Sequence, residues 1–227
     1  MDWARAIERN SEALKVIVAA LFAMLGLAEE TALARLPHSL HRAVLRVLQP
    51  AEAAVRRLVV IAARGLVVKA VPARPMPDSP IGKGRGSRPV FQLFDPRKRL
   101  VLQDDGVLPT RLLPRIHVFG GDPRVAALWA APPPLAAHAP PPDELVSAEP
   151  LTRRLRAIKF ALEDLPRQAR RLARWRLRRE KVPGLKFKSP LRPGRPPGYR
   201  RKKLHDIDEV LAECHGLACD ALRLNSS

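Results

Sequence analysis

Sixteen of the chain's 24 prolines fall between Pro72 and Pro150, and that crowding limits what its 227 residues can build. Each proline removes a backbone donor and fixes φ, so neither a long helix nor a central strand can run through the region. The packed elements must then come from either side of it. The reading is a mainly α protein: a small N-terminal helical bundle over residues 1–71 and a Pro-rich irregular linker over 72–149 with short extended elements. A long basic amphipathic helix over 150–182, a basic Pro/Gly-rich arm over 183–203 and a short C-terminal amphipathic helix over 204–227 follow.

The N-terminal part opens with Trp3, Ile7, Asn10, Leu14, Ile17, Leu21, Met24 and Ala28, which step by four and three. This is a heptad seam with one polar interruption, and such a seam wants a partner helix. Residues 16–28 are apolar on every side and fit three descriptions: a buried bundle helix, a signal peptide ending near Gly26 and Ala28, or a short membrane anchor with Lys15 snorkelling. Acidic Asp2, Glu8 and Glu12 spoil the basic leader that a signal peptide needs. Next, Leu40, Ala43, Val44, Val47 and Leu48 make a short stripe, and Pro50 suits the first turn of a further helix with Val55, Leu58, Val59, Ala62 and Leu66 inward. Arg42, Arg46, Arg56, Arg57 and Arg64 then read as a solvated surface, and a three-helix bundle is expected.

Within the linker, the string IGKGRGS lacks the spacing and the Lys-Ser/Thr of a phosphate-binding loop. Val90 to Phe94 and Leu100 to Leu102 are expected to pair as a hairpin or to dock as an extended peptide. Prolines at 132–134 and 140–142 favour a stiff spacer.

A second seam, Leu151, Leu155, Ile158, Leu162, Leu165, Ala169 and Leu172, restarts the helical pattern, with Asp164 as a candidate cap and Pro166 as a kink or restart. The seams can meet each other or support a homo-oligomer. Almost all the excess charge lies here: residues 151–203 hold 20 Lys and Arg against 3 Asp and Glu, giving +17 of the chain's +19. Arg167, Arg170, Arg171, Arg174, Arg178 and Lys181 recur at helical spacing away from the apolar face, with Glu180 the single acid among them. Arg192, Arg195, Arg200, Arg201, Lys202 and Lys203 continue the charge along the arm. Mutual repulsion of that size asks for counter-anions, and phosphate neutralisation with counterion release supplies them. Within the arm, Gly194, Arg195 and Pro196 resemble the core of an AT-hook. Pro193 stands where that motif has Arg directly before Gly, and the resemblance implies minor-groove contact for Arg195.

The last helix puts Ile207, Val210, Leu211, Cys214, Leu217, Ala218 and Ala221 on one face, so Cys214 reads as core. Cys214 and Cys219 point apart and suit a reducing compartment. His205, Asp208, Glu213, Cys214, His215 and Cys219 include every donor type zinc takes but do not converge on one tetrahedral point from a single helix, so no metal is assigned. Asp208, Glu209 and Glu213 form an acidic face that can fold back on the basic arm. Nothing else resembles a nucleophile elbow, a nucleotide loop or a His–carboxylate constellation. No catalytic residue, cofactor or small-molecule substrate is therefore expected.

The segments HRAVLRVLQPAEAAVRRLVVIAARGLVV and LPRQARRLARWRLRR are similar to an Arg/Ala/Pro-rich group of proteins from GC-rich alphaproteobacteria. The likeness covers both helical regions and the arm, and implies no activity. The expectation from sequence is a non-enzymatic, cytoplasmic binding or adaptor protein that engages nucleic-acid phosphates. The alternative is an inner-membrane-associated scaffold, with residues 16–28 inserted and the basic segment on anionic lipid.

Overall fold

A computed structural model describes residues 2–26, 34–68, 89–96, 144–180 and 189–224. The molecule is mainly helical, as the periodicity implies. Helix α1 (Trp3–Met24) starts where Asp2 accepts a hydrogen bond from the backbone N–H of Arg5 at 3.1 Å, the usual N-cap arrangement. It stops at Gly26, whose φ of 61° ends the helix in the left-handed conformation glycine adopts without strain. Its inward residues are Asn10, Leu14, Val18, Leu21 and Leu25. The heptad seam thus holds through Leu21 and then drifts, leaving Met24 51% exposed, because a straight helix at 3.6 residues per turn precesses away from a strict seven-residue repeat.

The expected second and third helices are one. Helix α2 (His38–Ala62) runs straight through Pro50. Proline cannot donate to the carbonyl four residues back, so Arg46 O loses its helical partner. The guanidinium of Arg200 replaces it, donating from Nη2 at 3.0 Å. Gly198 sits against the same break: a β-carbon there would lie 2.6 Å from Pro50 N. The arm therefore repairs the helix that the proline interrupts, and no free end forms at residue 50.

Beyond Pro50, α2 is enclosed on nearly every side. Ala51, Ala53, Ala54, Val55, Leu58, Val59, Val60 and Ile61 are buried, and so are Arg56 and Arg57. The sequence reading of these two arginines as solvated surface is thus corrected. Burial on this scale requires neighbours from the far end of the chain. They are α3 (Glu149–Glu163), α4 (Leu165–Glu180) and α5 (Asp206–Leu224), of which α5 makes the most extensive contact with α2. The five helices among the described residues all contribute to one apolar core, and every described residue falls in one unit, Met1–Pro96 with Pro142–Ser227.

A two-stranded antiparallel ribbon fastens the chain ahead of α2 to the chain ahead of α3. β1 (Arg35–Pro37) pairs with β2 (Leu145–Ser147) in the register Leu36↔Val146. The second seam breaks at Asp164, where φ −130° and ψ 60° leave the helical region. Asp164 Oδ1 then accepts from Arg167 N at 3.0 Å and caps α4, which makes Pro166 the second residue of a new helix. Asp208 caps α5 in the reverse sense, accepting from the N–H groups of Leu204 and His205.

Among the described residues, 90–94 pair with no other strand. They run extended, with Phe91, Leu93 and Asp95 buried and Val90 and Gln92 outward, a period-two alternation. Phe94 meets Trp175 of α4 edge-on, ring centres 4.7 Å apart. Leu100 to Leu102, IGKGRGS, the prolines at 132–142, His117 and His138 lie outside the described residues.

Candidate polyanion-binding surface

Helix α4 buries Leu165, Ala169, Leu172 and Ala173. The opposite side carries Arg167, Arg170, Arg174 and Arg178, all exposed and spaced three, four and four apart, so they line one stripe. Arg170 Nε and Arg178 Nε reach only the backbone carbonyls of Pro166 and Arg174, at 3.3 and 3.4 Å. Among the described residues no carboxylate lies within ion-pair distance of these four side chains. Arg178 also stands in the last turn, where the helix dipole favours a cation.

Arg171 leaves the stripe. Its Nη1 donates to Phe91 O at 2.8 Å, holding the extended segment against α4. Burial lowers its pKa, and the neighbouring Arg167 lowers it further. Lys181 lies outside the described residues.

The arm is folded rather than trailing. Pro190, Leu191 and Pro196 are buried, and Gly194 and Gly198 adopt φ of 77° and 78°. Arg192 Nε donates to Arg195 O at 2.9 Å, and Arg195 lies over the Tyr199 ring at 5.4 Å. The Gly194-Arg195-Pro196 segment is thus wound into a turn. Arg200 is occupied at Arg46 O, Arg201 and Lys202 are exposed, and Lys203 approaches Glu209 at 3.8 Å. Of the acidic face on α5, Glu209 reaches the arm among the described residues, through Lys203. Glu213 turns to Arg9 and Asn10 of α1, which gives the polar interruption of the first seam its partner.

Beneath the arm lies a polar cluster with no counterpart in the sequence reading. Asp95 and Arg57, both fully buried, pair at 3.1 Å, with Arg56 Nη1 3.8 Å from the other carboxylate oxygen. Asp95 also accepts from the Arg192 N–H, and its own N–H donates to Pro190 O. Burial lowers the pKa of Arg57 and the Asp95 charge opposes the fall. On the rim, Glu52 accepts a side-on fork from Arg154, at 2.7 Å to Nε and 3.0 Å to Nη2, and a third bond from Arg56 at 3.3 Å. A carboxylate gripped by Arg in this two-point fashion is held in a fixed orientation.

On the far side of Arg57, its Nε donates to His215 Nδ1 at 3.3 Å, and Cys219 Sγ lies 3.9 Å from the same ring nitrogen. Burial, then the charge of Arg57, pushes the His215 pKa down. Both cysteines are free thiols, and burial raises Cys214 to about 12. Among the described residues no three His, Cys, Asp or Glu side chains gather as a metal site. None of the described helices is long and apolar enough to cross a membrane.

No protein-family model, no curated protein and no solved structure matches the chain. The functional reading therefore rests on this geometry.

Among the described residues, two cavities are relevant to the surface. The larger, 620 Å³, is lined by the segment that follows α2, including Leu66 and Val67, by α4 and by Leu222 of α5, with Arg176 and Glu180 on its α4 side. Among the described residues Arg176 Nε and Nη2 have no hydrogen-bond partner, and both atoms are closed off from solvent. The smaller, 450 Å³, lies between α2, α3 and the arm, and its lining includes Glu52, Arg56, Arg154, Arg192, Arg195 and Tyr199.

Proposed function

We propose that this protein is a non-enzymatic binding or adaptor protein that holds nucleic-acid phosphates along the exposed stripe of α4. The observation that carries the reading is the run Arg167, Arg170, Arg174, Arg178: four guanidinium groups on one face without a facing carboxylate among the described residues. Most charged helix surfaces alternate signs and neutralise themselves. This one stays cationic, and phosphate contacts would relieve the repulsion while carrying little sequence preference.

Binding of DNA and RNA oligonucleotides, followed by fluorescence anisotropy across a salt series, tests it. Neutralising four phosphates gives a log–log slope of about −3 to −4. Replacing the four arginines by glutamine flattens that slope and weakens binding to all sequences alike. A wild-type response independent of salt, or no binding near physiological ionic strength, removes the proposal. Anionic vesicles form the control arm. Binding to them without binding to oligonucleotides transfers the stripe to lipid headgroup phosphates, with α1 still contributing Leu14, Val18, Leu21 and Leu25 to the core.

A further inference from the structure

The geometry points to a second anion site, separate from the α4 stripe: the 450 Å³ cavity between α2, α3 and the arm binds a phosphate monoester. Charge decides the class of ligand. Arg56, Arg154, Arg192 and Arg195 border the space against one carboxylate, Glu52, so the wall is left at +3 once the buried Arg57–Asp95 pair is set aside as neutral. Glu52 is saturated by Arg154 and Arg56 and acts as a spacer that fixes those two forks. Arg195 is the free element. Its guanidinium touches only the face of Tyr199 and makes no hydrogen bond or ion pair among the described residues, so its donors are available. Arg192 commits only Nε, to Arg195 O, which keeps both side chains at the mouth. The Tyr199 hydroxyl, also without a partner among the described residues, adds a neutral donor on a ring 40% exposed.

A monoester near neutral pH carries close to two negative charges and three terminal oxygens, whereas a backbone diester carries one charge and two. The first neutralises most of a +3 wall; the second leaves it largely uncompensated. The same chemistry is offered by a free phosphorylated small molecule and by the terminal phosphate of a polynucleotide, and the experiment separates them.

The test compares the full chain's affinity for a 5′-phosphorylated single-stranded oligonucleotide, its 5′-hydroxyl twin, inorganic phosphate and adenosine monophosphate, by calorimetry. The phosphorylated oligonucleotide is expected to bind about tenfold more tightly than its twin, the worth of one charge-assisted contact. Arg195→Gln should erase that ratio, and Tyr199→Phe should reduce it with the ring still in place. Glutamines on the α4 stripe should weaken both oligonucleotides and keep the ratio. The preference should also fade between pH 7 and pH 5 as the monoester dianion takes up one proton near pH 6 and becomes a monoanion. Tight binding of adenosine monophosphate or phosphate alone assigns the site to small molecules, and preference seen only on the oligonucleotide assigns it to chain ends. Equal affinity for the twins together with no heat from either small anion overturns the site, as does a ratio that survives Arg195→Gln. If no oligonucleotide binds at all, the α4 reading fails while the two small anions still decide this one.

Discussion

Arg57 is the residue on which the interior turns. Its guanidinium is enclosed between Asp95 from the extended segment, the Ala53 carbonyl of its own helix and His215 from α5. Removing one partner of a buried pair leaves the other charged and unmatched, so Asp95→Ala should lower unfolding free energy by about 3–5 kcal/mol in urea titrations. The double change Arg57→Met with Asp95→Leu should recover much of that loss, because no buried charge remains. His215 supplies a pH signature. Its proton is held less tightly in the folded chain than in the unfolded chain, so stability is full above the ordinary value of 6.5 and falls as pH drops below it. His215→Asn should flatten the slope of melting temperature against pH in that window. Cys214, with its thiol pushed up to about 12, should resist thiol reagents at pH 8 in the native protein and react once denatured. Cys214 was legible as core from its helix face, whereas the grouping of Arg57, Asp95 and His215 was not. Arg56 and Arg57 occupy ordinary helix positions, and their partner lies 38 and more positions away. The one available signal was an acid, Asp95, on the apolar phase of the Phe91, Leu93, Asp95 alternation.

At the level of elements, the sequence stated helices and caps well and misjudged one proline. The Leu151 to Leu172 positions are buried and Asp164 caps as read, since both depend on contacts within a turn or two, while the single helix expected over 150–182 is divided at Asp164 into α3 and α4. Pro50 was misread because what sustains the helix across it is Arg200, 154 positions distant. A double-mutant cycle checks this account. Arg200→Met should cost about 1 kcal/mol by stranding the Arg46 carbonyl, and much less in a Pro50→Ala background, where the restored N–H serves the same oxygen. Gly198→Ala meets both a φ of 78° and the Pro50 backbone, and should lower the melting temperature more than Arg200→Met does. The basic elements show a similar division. The exposed stripe on α4 could be read from periodicity, whereas the arm's winding into a turn depends on its contact with α2 and could not.

On the scale of the molecule, residues 1–71 are one part of a shared core rather than a bundle by themselves. Leu58, Val59, Val60 and Ile61 are buried in a helix that packs against α3, α4 and α5 as well as α1. A fragment of residues 1–71 is therefore expected to show neither a cooperative melt nor dispersed amide signals, while the full chain shows both. The sequence left open whether the two seams meet or serve a homo-oligomer, and the prolines of the middle region argue for separation; in the fold α1 packs against α3. Among the described residues, the ribbon between β1 and β2 and the strap at Phe91 to Asp95 join the chain on either side of residues 97–143 to the helical core.

The enclosure of α2 has a consequence for how the chain is made. The helix is complete at residue 62, yet its principal cover begins at residue 206. At ribosomal speeds of about 5–20 residues per second, the hub emerges roughly 7–30 s before α5 exists to shield it. During that interval an apolar, arginine-bearing helix is presented to whatever the nascent chain meets, which makes early α2 the segment where a holding chaperone would be expected to bind.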